Sequence, residues 1–156
     1  MDYTAMLQRK KLPHDIPPWT PSGGTYFITV CSTLRGLNQL CRDTVFDLLM
    51  QSVRYYRDVG HWRPHLVLFM PDHMHAITSF AENPGLIKTI SDWKHYTARK
   101  CKISWQRDYF EHRLRHDESL VEKLSYIRMN PVRAGLVGTP EEWPYVWPQA
   151  GMTASD

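Results

Sequence analysis

The stretch Leu66-Val67-Leu68-Phe69-Met70-Pro71-Asp72-His73-Met74-His75-Ala76-Ile77 decides how the rest of the chain is read. Five consecutive apolar residues, Leu66 to Met70, have the length and composition of a buried strand. Pro71-Asp72 interrupts it, and the pattern resumes at His73. A tight hairpin and a bulge within one long strand both fit that interruption. Side chains of a strand alternate between faces, so His73 and His75 share one face, with Cα atoms roughly 6–7 Å apart. Two imidazoles so placed can converge on one divalent cation, while Met74 points the other way into a core. A histidine pair is not yet a site, because strand histidines that are merely hydrogen-bonded are common. A third ligand and a nucleophile must come from elsewhere.

Upstream, Trp62 begins the same apolar strand, and Thr25 to Ser32, rich in β-branched and aromatic residues, predicts a first strand after Gly23-Gly24. Between them, Val45, Leu48, Leu49, Val53 and Tyr56 form one apolar stripe. They predict a helix from Asp43 or Thr44 to Asp58, closed by Gly60. Residues 1–24 read as a basic, Pro-rich arm: Arg9-Lys10-Lys11 is a short cationic cluster, and Pro13, Pro17, Pro18 and Pro21 exclude regular helix. Downstream, a second helix is expected from Leu86 to about Lys100 and a short strand around Tyr109 to Arg113. A third helix should start at Glu118, capped by Asp117, and end at Met129 or Asn130 before Pro131. From Val132 on the chain is expected to be irregular, with 138–156 as a tail whose Trp143, Tyr145 and Trp147 pack back on a 25–137 domain. The order of elements is βαββαβ. It predicts an α+β, ferredoxin-like (RRM-like) antiparallel sheet with helices packed on one face and the histidine motif on a central strand.

At 156 residues, one domain is expected, and 42% apolar content with six Trp excludes a disordered chain. With no apolar run of membrane length and no charged-then-apolar leader, neither a membrane span nor a signal peptide is expected. Cys31, Cys41 and Cys101 are odd in number and form no CxxC pair, so reduced cysteines of a cytoplasmic protein are expected, without a disulfide framework or zinc knuckle. The net charge of +3 decides little, but its distribution says more. Between Lys88 and Arg115 eight Lys/Arg face three acids, with Trp93, Tyr96, Trp105, Tyr109 and Phe110 interleaved. Such a mixture suits a phosphate backbone with unstacked bases; a solvated helix face over core aromatics is the plain alternative. The candidate nucleic-acid contacts are Arg9, Lys10, Lys11, Lys88, Lys94, Arg99, Lys100, Arg113 and Arg115.

On a helical wheel of the third helix, Leu120, Val121, Leu124 and Ile127 fall in one stripe. Tyr126 lands nearly opposite, Asn130 sits one turn beyond it, and Lys123 shares this outer face. A tyrosine used for packing belongs among the leucines; this one is either a surface residue or a functional one.

Four blocks now carry a resemblance. Gly23-Gly24-Thr25-Tyr26-Phe27, Met70-Pro71-Asp72-His73-Met74-His75, Tyr109-Phe110-Glu111-His112 and Tyr126-Ile127-Arg128-Met129-Asn130-Pro131-Val132-Arg133-Ala134-Gly135, with a later Glu142-Trp143-Pro144, resemble the signature blocks of the REP-associated tyrosine transposases. These are single-tyrosine members of the HUH (His-hydrophobic-His) endonuclease superfamily. The blocks run in order from about residue 22 to 147, so nearly the whole chain is covered. The resemblance implies that His73 and His75 are metal ligands, that Asn130 is the third ligand through its amide oxygen, and that Tyr126 is the nucleophile. Lys123 is a candidate to favour the phenolate, and His112 to make a structural or phosphate contact. The implied activity is metal-dependent nicking and joining of single-stranded DNA through a 5′-phosphotyrosine, at REP-type hairpins, in a bacterial cytoplasmic monomer or homodimer. Oxygen ligands and phosphate chemistry favour Mg²⁺ or Mn²⁺, while imidazoles admit Zn²⁺ or Ni²⁺. The alternatives are a non-catalytic DNA or RNA hairpin-binding module, and a metallohydrolase using metal-bound water with no need of a tyrosine.

Overall fold

Trp62–Met70 (β2) and His73–Phe80 (β3) form one antiparallel hairpin with Met70 opposite His73, so Pro71-Asp72 is its two-residue turn. A computed structural model describes residues 24–115, 119–150 and 152. The bulge is elsewhere, between Pro64 and Leu66, where a proline has no N–H to give to the ladder. Thr25–Cys31 (β1) pairs with the free edge of β3, and Phe110–Arg113 (β4) pairs with β1. A fifth strand, Val146–Trp147 (β5), makes the order β4-β1-β3-β2-β5, with β3 in the centre. The α+β fold and the central place of the histidines are as the sequence predicts.

The two faces have different work. Asp43–Asp58 (α1) and Leu86–Cys101 (α2) cover the Met74 face: Phe46 packs edge-on to Phe69 at 5.8 Å, and Trp93 lies 5.9 Å from Trp62. Trp93 is fully buried, and its indole N–H donates to Ser52 Oγ (2.9 Å), tying α2 to α1. Truncating a side chain this large and this enclosed costs about 3–5 kcal/mol. By alternation the opposite face carries Phe27, Thr29, Leu68, His73, His75 and Ile77. Leu120–Arg128 (α3) packs against β2 there, and of its residues only Ile127 is buried.

Four expectations change. The third helix is capped by Ser119, whose Oγ accepts from the Glu122 N–H (3.2 Å), a Ser-x-x-Glu arrangement that satisfies a first-turn donor. Asp117, expected in that role, lies outside the described residues, as does the arm with Arg9, Lys10 and Lys11. Val121 is 72% exposed because α3 buries only a narrow stripe running from Leu120 through Leu124 to Ile127. Pro131 does not end the helical region but opens a further turn, Asn130–Arg133 (α4), where its missing N–H is one the helix start leaves unused anyway. The segment after it is not all irregular. Pro140–Glu142 forms a 3₁₀ turn, Val146–Trp147 (β5) pairs with Val67 and Leu68, and the Trp143 indole N–H donates to Phe69 O (3.0 Å).

Candidate active site

The hairpin turn that presents the histidines is held from several sides. Pro71 O accepts from Gln39 N (2.9 Å) and Leu40 N (3.2 Å), and Asp72 O from Ser32 N (2.9 Å) and Ser32 Oγ (3.0 Å). The Asp72 carboxylate takes the Gly36 N–H (2.8 Å), pairs with Arg35 (3.4 Å) and lies 2.7 Å from His73 Nδ1. The His73 hydrogen bond, with help from Gly36 and Arg35, outweighs burial and draws the Asp72 pKa down to about 2. An ionised carboxylate can only accept, so His73 donates from Nδ1, and Nε2 is the ring nitrogen that faces away from this bond. Carboxylate–histidine pairs of this kind fix the ring of a metal ligand and raise its basicity.

His75, opposite Leu68 and Thr29 in the sheet, is fully buried. Its Nδ1 lies 2.9 Å from Thr29 Oγ1, and Phe27 stacks on the ring at 5.5 Å. Burial above all, then the nearby charges of His73, Arg133 and Arg35, hold its pKa well below the ordinary range, so the ring is neutral. The two rings are 4.8 Å apart, centre to centre. Each therefore has its Nδ1 engaged by its own scaffold, the chemistry a pair of Nε2 metal donors needs. Among the described residues no group of three His, Cys, Asp or Glu could hold a metal, so a third donor drawn from them would be an amide, hydroxyl or carbonyl oxygen.

Asn130 is a suitable amide. It is 4% exposed at the start of α4, one turn after Tyr126, which is 38% exposed. Arg133 ties these two together. Its Nη2 donates to Tyr126 O (2.6 Å) and to Asn130 Oδ1, its guanidinium lies 4.1 Å from the Tyr126 ring centre, and its charge reaches His75. Positions 126, 130 and 133 follow the i, i+4, i+7 spacing of one helical face, continued past Pro131. Lys123 is half-buried on α3. His112, opposite Phe27 in β4, is on the histidine face of the sheet. The cysteines are poor nucleophiles: burial raises the Cys31 thiol to about 11 and the Cys41 thiol to about 12.

The basic segment is not brought to the histidines. Lys88, Lys94, Arg99 and Lys100 ride on α2, across the sheet from His73 and His75. Lys88 pairs with Asp92 (3.0 Å), and Lys94 Nζ donates to Gln106 O (2.7 Å) and Arg107 O (2.8 Å), so it fastens the 102–109 segment. A cavity of about 580 Å³ opens there beside Lys94, His95, Trp105, Arg107 and Tyr109. Arg99, Lys100, Arg113 and Arg115 are exposed. Arg113 packs over Gly24, where a side chain would meet its guanidinium at 2.9 Å. Sequence reasoning gave no role to Asp72, Thr29, Arg35 or Arg133. Asp72, adjacent to His73, was within reach of it, whereas Thr29 and Arg35 depend on strand register and loop path.

No family model matches the chain. It is 28% identical to the REP-associated tyrosine transposase of Escherichia coli K12, over 79% of this chain and 75% of that one. It is also 26% identical to a protein of Haemophilus influenzae Rd provisionally given the same name, over 79% and 78%. Over most of its length the chain is thus similar in sequence to the REP-associated tyrosine transposases. Its fold agrees with a solved structure described as such a transposase bound to a REP hairpin, with a TM-score of 0.72 over 86% of this chain and 82% of that one at 23% identity. Among its described residues the chain has no helix long and apolar enough to cross a membrane.

Proposed function

We propose that this chain cuts and rejoins single-stranded DNA beside REP-type hairpins, using Tyr126 as nucleophile. The observation that carries the reading is two imidazoles with their Nδ1 atoms engaged and, linked to them through Arg133, whose charge acts on His75, a buried amide one turn from an exposed tyrosine. His73, His75 and Asn130 would hold a divalent ion, Mg²⁺ or Mn²⁺, which supplies Lewis-acid polarisation of the scissile phosphate when bound. A phenol is a weak nucleophile at neutral pH, so the positive side chains around it matter. Arg133 over the Tyr126 ring supplies such a charge, and Lys123, one turn before Tyr126, is a second candidate.

Tyr126 Oη gives up its proton and attacks phosphorus, the P–O3′ bond breaks, and the departing 3′ oxygen takes up a proton, so none is gained or lost overall. The product is a 5′-phosphotyrosine and a free 3′-OH. Because the new bond is again a phosphodiester, another 3′-OH can reverse the step and join strands without ATP. The exposed cations Arg99, Lys100, Arg113 and Arg115, with Arg9-Lys10-Lys11 of the 1–24 arm, would hold the flanking DNA, and His112 would contact phosphate or structure beside Phe27. We place the protein in the cytoplasm, at the nucleoid when DNA is bound.

Incubation with single-stranded hairpin oligonucleotides and Mn²⁺, read on a denaturing gel, tests this directly. EDTA-sensitive nicking is expected; intact DNA across a panel of hairpins would contradict it. A second reading, hairpin binding without chemistry, is favoured by two observations: Arg133 bonds the Asn130 oxygen, and the basic helix lies across the sheet. Binding that persists with no nicking in any divalent ion would select it.

A further inference from the structure

Arg133 occupies the one oxygen that the reading above assigns to a divalent ion. Its guanidinium spans Tyr126 O and Asn130 Oδ1, stacks on the Tyr126 ring at 4.1 Å, and acts electrostatically on the buried His75. A fork of this kind is geometrically specific, because one planar group satisfies two acceptors and an aromatic face together. We propose that Arg133 is a latch between the nucleophile and the metal ligands, resting on the reading of His73, His75 and Asn130 as a divalent-ion site. With the latch closed, Asn130 Oδ1 is committed to Arg133, and Tyr126 is held against the same side chain. Loading a divalent ion through Asn130 Oδ1 requires that this bond be given up or shared, because a cation and a guanidinium compete for the same lone pairs and repel each other. The guanidinium so released stays within reach of Tyr126 and is free to meet an anionic phosphate. The latch therefore couples ion loading to the readiness of the nucleophile. It lets the protein disfavour an ion when no phosphate is present to draw Arg133 away.

This makes a prediction with an unusual sign. A residue that merely supports the fold weakens ligand binding when it is removed, whereas removing a latch strengthens it. The test is titration of the full chain with Mn²⁺ alone, without DNA, followed by calorimetry or by the electron paramagnetic signal of free Mn²⁺. Arg133→Ala should bind Mn²⁺ at least about fivefold more tightly than wild type, the range expected on removing a charge-assisted competitor bond. If that variant does not fold, Arg133→Lys carries the same test. It keeps the charge without the fork, and it should also bind Mn²⁺ more tightly than wild type. His73→Ala should lose the binding. Unchanged or weaker Mn²⁺ binding in a folded Arg133 variant, with the His73→Ala loss intact, overturns the latch and leaves the metal reading standing. Mn²⁺ binding that is absent in wild type, or that survives His73→Ala, overturns the metal reading and the latch with it.

Discussion

The β2–β3 turn and the α3–α4 segment each bring groups to the same site, and they are fastened very differently. The turn is held by backbone bonds to Ser32, Gln39 and Leu40, by an ion pair to Arg35, and by strand pairing on both sides of β3. Within α3 only Ile127 is buried, and one exposed arginine links Tyr126 to Asn130. Two of the three proposed ligands, His73 and His75, thus sit on the central strand of the sheet, and the third, Asn130, on the lightly held segment. The nucleophile, which in the proposed reaction carries a DNA end, sits on a lightly anchored helix. Elements that move in function are drawn from the low-stability end of a structure.

The largest effect should come from the rigid side. His73→Ala with His75→Ala should lower EDTA-sensitive nicking by at least about a thousandfold, equivalent to ~4 kcal/mol of lost phosphate polarisation. Circular dichroism checks that the sheet survives. Undiminished nicking would remove the hairpin from the chemistry. Next, Ile127→Ala should release α3 while sparing the sheet: amides of 120–128 should lose about 2–4 kcal/mol of exchange protection, and those of β3 should barely change. Equal losses in both regions would mean that α3 and the sheet open as one unit, breaking the contrast.

How much of this contrast was legible in the sequence depends on how local its cause is. The β2 and β3 strands, α1 with Gly60 beyond it, and the exposed Tyr126 follow from periodicity and turn chemistry within a dozen residues. Val146–Trp147 could not be read that way. It is too short to show a period, and it is a strand only because Val67 and Leu68 leave an edge for it. Pro131 misleads for a related reason, since the same ring that ends one helical turn can begin another. The wheel drawn through Leu120 and Ile127 included Val121, but a helix lying lightly on a sheet buries less than the full apolar stripe. Lys94 reads as a DNA contact by composition, yet its ammonium is spent on two carbonyls of the next segment.

A finer probe of the hairpin is Asp72→Asn. With its anionic partner gone, His73 loses the charge that orients it, and Mn²⁺ affinity should fall about 10–100-fold. Unchanged affinity would show that Pro71 and Ser32 alone set the turn. The smallest expected effect concerns the side of the sheet away from the histidines. Arg99→Ala with Lys100→Ala should reduce the salt dependence of hairpin binding by roughly one to two phosphate contacts, while leaving nicking of bound DNA unchanged. A salt slope identical to wild type would exclude the α2 end from the DNA path.

The central claim is that Tyr126 becomes bonded to DNA. A hairpin oligonucleotide, labelled on one side of the nick or the other, is incubated with Mn²⁺ and the protein, and the products are run on a denaturing protein gel. Wild type should give a slowly migrating adduct carrying only label from downstream of the break, and mass spectrometry should place the phosphate on Tyr126. Tyr126→Phe, which removes just the hydroxyl, should bind the hairpin as before and form no adduct. Nicking without any adduct, or an adduct mapped to Tyr109 or another tyrosine, would contradict the account.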